Sequence, residues 1–126
     1  MKFKNVMTIK AVVCLGFGPL LLFFPAWLLG LLGLAYSSGA ALTAREYGAA
    51  MVGILLMTWL ARNAEESAIR RAICWNLCVY DAIGLAVTLA FLFTGVLNPL
   101  GWGIAAVYLF FTIGFGSLLI PKKQAA

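Results

Sequence analysis

Four long apolar stretches, each closed by polar or charged residues, organise the chain. They run over 11–34, 45–61, 73–96 and 101–120, the first interrupted only by glycines and by Pro19 and Pro25. A helix rises ~1.5 Å per residue and the hydrocarbon core of a bilayer is ~30 Å thick, so each stretch can cross it or nearly so. The second is the shortest and is expected to stand most upright. Barrel strands are disfavoured, because these stretches are apolar on every side. The pattern predicts an all-α integral membrane protein: one transmembrane domain over 1–126, an antiparallel four-helix bundle in up-down-up-down order.

Composition agrees. Apolar residues make up 64% of the chain and charged residues 10%, whereas an ordinary soluble domain carries about 45–50% and about 25%. Nine Lys and Arg against four Asp and Glu leave a formal charge of +5. The basic residues sit at the ends of apolar stretches, so a lipid bilayer is the expected partner and nucleic acid is not. Histidine is absent, which removes His-ligated haem or zinc and the Ser-His-Asp triad. Cys14, Cys74 and Cys78 all lie within apolar stretches and form no Cys-x-x-Cys pair, so they read as small buried residues. No catalytic residue, metal site or cofactor is expected.

The placement of Lys and Arg sets an orientation. Lys2, Lys4 and Lys10 precede the first stretch, Arg62, Arg70 and Arg71 fall in the 62–72 connection, and Lys122 and Lys123 follow the last stretch. Only Arg45 lies in the other two connections. Both termini and the 62–72 loop are therefore expected to face the cytoplasm. Tyr36, Tyr47 and Trp102 would mark the outer interface, Trp59 and Trp75 the inner one. The first stretch exceeds the roughly 7–15 residues of a signal-peptide core, so it is expected to stay as a helix. Arg62, Glu66 and Arg70 stand at i,i+4 spacings that suit a small helical cap in the middle loop. Asn98, Pro99 and Gly101 punctuate a tight outer turn.

The third stretch holds the most informative pattern. At 100° per residue, Cys74, Cys78, Asp81, Leu85 and Thr88 fall in one narrow arc, expected to face the interior or a partner. Asp81 lies about 12 Å above the inner boundary, near the bilayer centre, where an acid is a candidate for function. No basic residue is expected within easy reach, so the carboxyl is expected to be neutral. Gly18, Pro19 and Gly53 lie at similar depth. Pro19 leaves the Leu15 carbonyl without its helical donor, and a small polar site of Asp81, Cys78, Gly53, Gly18 and Pro19 follows, either structural or binding a proton or ligand. At the outer boundary Arg45, Glu46, Tyr47 and Trp102 are expected to contact lipid headgroups or a partner. Ala49 and Gly53 form a small-xxx-small pair suited to close helix packing.

The sequence Arg45-x-Tyr47-Gly48 at the start of the second stretch, with Gly101-Trp102 before the fourth, resembles a diffuse group of small four-helix bacterial membrane proteins of the DoxX-like type. A fainter likeness is to the ergosterol-biosynthesis scaffold protein, another four-helix membrane protein with an Arg-x-aromatic-Gly start. The latter implies that such a bundle can serve as a tether without catalysis. Neither resemblance supplies catalytic residues.

Four functions are weighed, of which thiol redox chemistry through Cys74 and Cys78 is set aside because thiols buried in apolar surroundings are inert. The first is a non-catalytic accessory or scaffold subunit that docks on a larger membrane complex or on itself. The second is a small oligomeric transporter or exporter using Asp81. The third is a binder of an apolar pigment, quinone or lipid in a groove of Trp59, Tyr108, Phe110 and Phe111.

Overall fold

The computed structural model describes residues 2–121 and contains five helices. They are α1 (Phe3–Phe23), α2 (Pro25–Leu31), α3 (Ser38–Ala61), α4 (Ala68–Phe93) and α5 (Gly101–Leu119). No strand occurs among the described residues. The four longer helices are long and apolar enough to cross a membrane, as in an integral membrane protein. Lys122 and Lys123 lie outside the described residues.

The helix bounds correct the first three apolar stretches, each for a local reason; the third, expected over 73–96, is α4 at Ala68–Phe93. The 11–34 stretch is two helices, and the first begins eight residues earlier, at Phe3. Pro25 disfavours a helical conformation in the residue before it; Phe24 leaves the helix at φ −131°, ψ 48°, and Pro25 opens α2. The 45–61 stretch begins at Ser38, because Ser37 caps that helix, its hydroxyl accepting from the Ala40 N–H at 3.1 Å. Of the four long helices α5, with 19 residues, is therefore the shortest, and α3 has 24.

The connections follow the same chemistry. Ser67, in extended conformation, accepts from the Arg70 N–H at 3.1 Å and starts α4 there. No separate helical cap forms at 62–72: residues 62–67 are a charged turn and 68–72 belong to α4. Glu66 reaches Arg70 at 3.7 Å, while Arg62 turns back over Trp59. Gly33 and Gly95 take positive φ, 77° and 79°, at the ends of α2 and α4. Each helix closes with a 6→1 bond, Leu34 N–H to the Leu29 carbonyl and Val96 N–H to the Phe91 carbonyl.

Packing divides the molecule into two close pairs, α1 with α3 and α4 with α5. Glycine makes the first possible. A Cβ on Gly48 would stand 2.9 Å from the Gly18 carbonyl oxygen and from Leu21 Cβ, so the two backbones touch as small residues permit. Gly18 also meets Val52 and Leu21 meets Gly48, so α1 and α3 run in opposite senses. The same holds for α4 and α5, where Cys78 faces Thr112, Gly84 faces Tyr108 and Leu92 faces Gly101.

Between the pairs, the half nearer Phe3 is filled. Phe3, Val6, Met7, Cys74, Leu77, Phe111 and Phe115 form a buried cluster there. In the other half Cys14, Leu21, Leu28, Ala44 and Met51 tie α1, α2 and α3 together, and the space toward α4 and α5 is not filled.

Candidate functional site

Polar side chains meet at mid-length of the four long helices. Lys10 lies two turns into α1, on the buried stripe of Phe3, Val6, Met7, Lys10 and Cys14 that recurs every three or four residues. Its Nζ donates to Asp81 Oδ1 at 2.6 Å, with the two side chains 4% and 0% exposed. The ammonium also faces two aromatic rings, 4.4 Å from the Phe111 centroid and 5.0 Å from that of Tyr80. Such contacts are attractive when desolvated. Asp81 Oδ2 is buried without a hydrogen-bond partner among the described residues.

This pair corrects the expectation that Asp81 stands out of reach of a base. Lys10 belongs to the helix rather than to a polar tail, and its long stem carries the ammonium to mid-bundle. Among the described residues Lys2, Lys4, Arg62, Arg70 and Arg71 therefore remain as basic side chains at the Phe3 end, against Arg45.

Beside this pair lies a chain of three phenols, one from each of α3, α4 and α5. Tyr47 hydroxyl bonds both to Tyr80 hydroxyl and to Tyr108 hydroxyl, the latter at 2.7 Å. Tyr108 fits because Gly84 has no side chain; a Cβ there would stand 2.5 Å from the ring. Tyr80 and Tyr108 also pack edge to face, with centroids 6.3 Å apart. Three hydroxyl protons serve two internal contacts, so one O–H remains to donate outside the chain.

Above these groups, between the two helix pairs, a cavity of about 220 Å³ extends toward α2. Lys10, Tyr47, Tyr80 and Tyr108 line one end, Leu28, Leu32 and Leu97 the other. Apolar walls with a few convergent polar groups are the usual make-up of a small-molecule site.

The sequence-derived residues distribute differently from their expected grouping. The arc of Cys74, Asp81 and Thr88 is buried and Cys78 is half-buried, so that stripe does face inward. Gly18, Pro19 and Gly53 do not gather around Asp81. Gly18 packs on α3, Gly53 is exposed with open space around it, and Leu15, whose carbonyl Pro19 frees, is exposed. Cys78 bonds instead to the Thr112 carbonyl at 3.6 Å. Arg45, Glu46 and Trp102 are exposed, whereas Tyr47 turns inward to the other phenols. Ala49 and Gly53 face outward, away from the chain's own helices.

Nor do Trp59, Tyr108, Phe110 and Phe111 share a groove: Trp59 and Phe110 are exposed, Phe111 is in the filled half and Tyr108 is at the cavity. Lys10, Tyr80 and the joining of three tyrosines escaped the sequence reading. For Lys10 the signal was its place on the apolar stripe of α1; for the tyrosines no local signal joins residues on three helices. Among the described residues no three Cys, Asp or Glu side chains gather as metal ligands. No protein-family model matches this chain, and neither a curated protein nor a solved structure matches it.

Proposed function

We propose that this chain is a non-catalytic membrane protein that binds a small apolar molecule bearing a hydrogen-bond-accepting head, of the quinone or lipid-carbonyl kind. The observation that carries the reading is the cavity with a polar floor and apolar walls between the helix pairs. Its floor presents donors, the Lys10 ammonium and the spare phenol proton, so the head of the ligand accepts. The apolar remainder lies along Leu28, Leu32 and Leu97. Four helices cross the bacterial inner membrane as an antiparallel bundle with both termini and the α3–α4 loop cytoplasmic, and the cavity then lies in the outer half. The basic residues at the Phe3 end, against Arg45 alone at the other, support that orientation.

The test is extraction of the protein in mild detergent followed by mass spectrometry of what remains bound. A stoichiometric apolar compound is expected, and it is lost in Ile104→Trp, which fills the cavity. An empty protein with no compound bound at any stage of purification refutes the binding reading.

A second reading is the accessory or scaffold subunit. The outward Ala49–Gly53 face of α3, with both residues exposed and open space around Gly53, supports it. A stoichiometric membrane protein co-purifying with the empty bundle decides for it. The DoxX-like resemblance belongs with either reading: within its motif Tyr47 joins the phenols and Gly48 touches α1. Transport through Asp81 has less support, because Lys10 already engages that carboxyl.

A further inference from the structure

The end of the molecule opposite the cavity carries a second concave surface, of different chemistry. It is a bowl of about 940 Å³ where the N-terminus of α1, the α3–α4 loop and the end of α5 converge. Five basic side chains line it, Lys2, Lys4, Arg62, Arg70 and Arg71, against the single carboxylate of Glu66. We propose that this bowl binds the phosphate headgroup of an anionic phospholipid.

Three observations carry the assignment. The first is excess charge without internal relief. Glu66 meets Arg70 at 3.7 Å, and among the described residues no ion pair engages Lys2, Lys4, Arg62 or Arg71. Arg70 and Arg71 moreover stand in the first turn of α4, which contains no acidic residue. A helix N-terminus is the positive end of its dipole and favours anions, so the two arginines there oppose their own helix until an anion sits among them.

The second is that two guanidinium groups are held in place. Arg70 lies 4.2 Å over the Phe3 ring and donates to the Ala64 carbonyl at 3.1 Å. Arg62 lies 3.8 Å over the Trp59 ring and donates to the Trp59 carbonyl. Planar guanidinium groups fixed in this way are suited to phosphate oxygens.

The third points to a lipid rather than a soluble anion. Phe3, Leu118 and Ile120 share the lining with the basic residues, giving the glycerol and first acyl carbons an apolar wall. Trp59, half exposed beneath Arg62, sits at the end of a membrane-length helix. Exposed tryptophans at that position mark the headgroup level, and basic pockets between helices at this depth take anionic headgroups.

The proposal rests on the membrane character of the helices and not on the cavity at the other end. Its test is native mass spectrometry of the detergent-solubilised protein titrated with phosphatidylglycerol or with zwitterionic phosphatidylcholine. Phosphatidylglycerol is expected to bind roughly tenfold more tightly or better. A triple variant, Lys2→Gln, Lys4→Gln and Arg71→Gln, alters side chains with no hydrogen bond among the described residues and keeps the wild-type melting midpoint. It loses roughly fivefold in affinity per charge removed, while Arg45→Gln at the far boundary changes nothing. Equal binding of the two lipids, or an equal loss in Arg45→Gln, overturns the proposal. Displacement of phosphatidylglycerol by millimolar inorganic phosphate or glycerol 3-phosphate assigns the bowl to a soluble anion and overturns the lipid.

Discussion

Lys10 and Asp81, 71 positions apart in the chain, meet at 2.6 Å in the middle of the helical assembly with almost no exposure. They join α1 to α4, two helices that do not otherwise pack as a close pair, and so couple the two halves of the molecule. Removing one partner strands a buried charge, whereas replacing both with apolar side chains need not destabilise. Lys10→Met and Asp81→Leu are each expected to lower unfolding stability by about 3 kcal/mol. The double variant is expected within about 1 kcal/mol of wild type. Denaturant titration in detergent reads all four proteins, and additive losses would show that the pair is not coupled.

Tyr47 is the centre of the phenol chain, since it alone contacts both other hydroxyls. Tyr47→Phe leaves two half-buried hydroxyls without their mutual partner and is expected to cost about 2 kcal/mol; Tyr108→Phe, which removes one contact, about 1 kcal/mol. Chemical unfolding orders the two. Ligand extraction follows the same order, because the donors at the cavity floor are disturbed more by the loss of Tyr47.

Two glycines separate packing from propensity. A methyl at Gly84 would stand 2.5 Å from the Tyr108 ring, while a methyl at Gly53 meets nothing within 4 Å. Gly84→Ala is expected to destabilise by about 1–3 kcal/mol and to push Tyr108 off Tyr47. Gly53→Ala is expected to be neutral or to stabilise by up to ~1 kcal/mol. Melting midpoints distinguish them, and a neutral Gly84→Ala would mean that the ring has room to move.

Asn98 fastens α2 to the α4–α5 turn: its Nδ2 donates to the Leu31 carbonyl at 2.8 Å and its backbone N–H to the Leu32 carbonyl at 3.1 Å. Its Oδ1 also accepts from the Leu100 N–H at 3.1 Å. Asn98→Ala is expected to cost about 1 kcal/mol and to speed amide hydrogen exchange in α2 while leaving the centre of α4 unchanged. Since Leu28 and Leu32 line the cavity, the same variant accelerates ligand release. Uniform acceleration throughout the molecule would contradict a local fastening.

Orientation is checked with single reporter cysteines. Cys14, Cys74 and Cys78 are buried or half-buried, so an impermeant maleimide added to spheroplasts is expected to label Ala35→Cys and to spare Asn63→Cys. Inverted vesicles should reverse the result. Labelling of both sites from one face would exclude the antiparallel crossing.

The apolar runs alone determined that the chain is helical and suited to a bilayer, because a segment that is apolar on every side and of membrane length has few other solutions. The inward face of α4 was legible for the same kind of reason: Cys74, Asp81 and Thr88 share an arc at helical spacing, and polar groups avoid lipid. Helix ends were less legible, since they depend on single residues such as Pro25 and Ser37 rather than on a run. The partners of the polar groups belonged to tertiary structure. Lys10 reads as a tail charge until α1 is seen to begin at Phe3, and Tyr47 reads as an interfacial aromatic until α4 and α5 bring Tyr80 and Tyr108 to it. Hydropathy is a property of neighbours along the chain, whereas an ion pair or a chain of phenols depends on which helix faces which, and that is settled by the fit of side chains such as Tyr108 against Gly84.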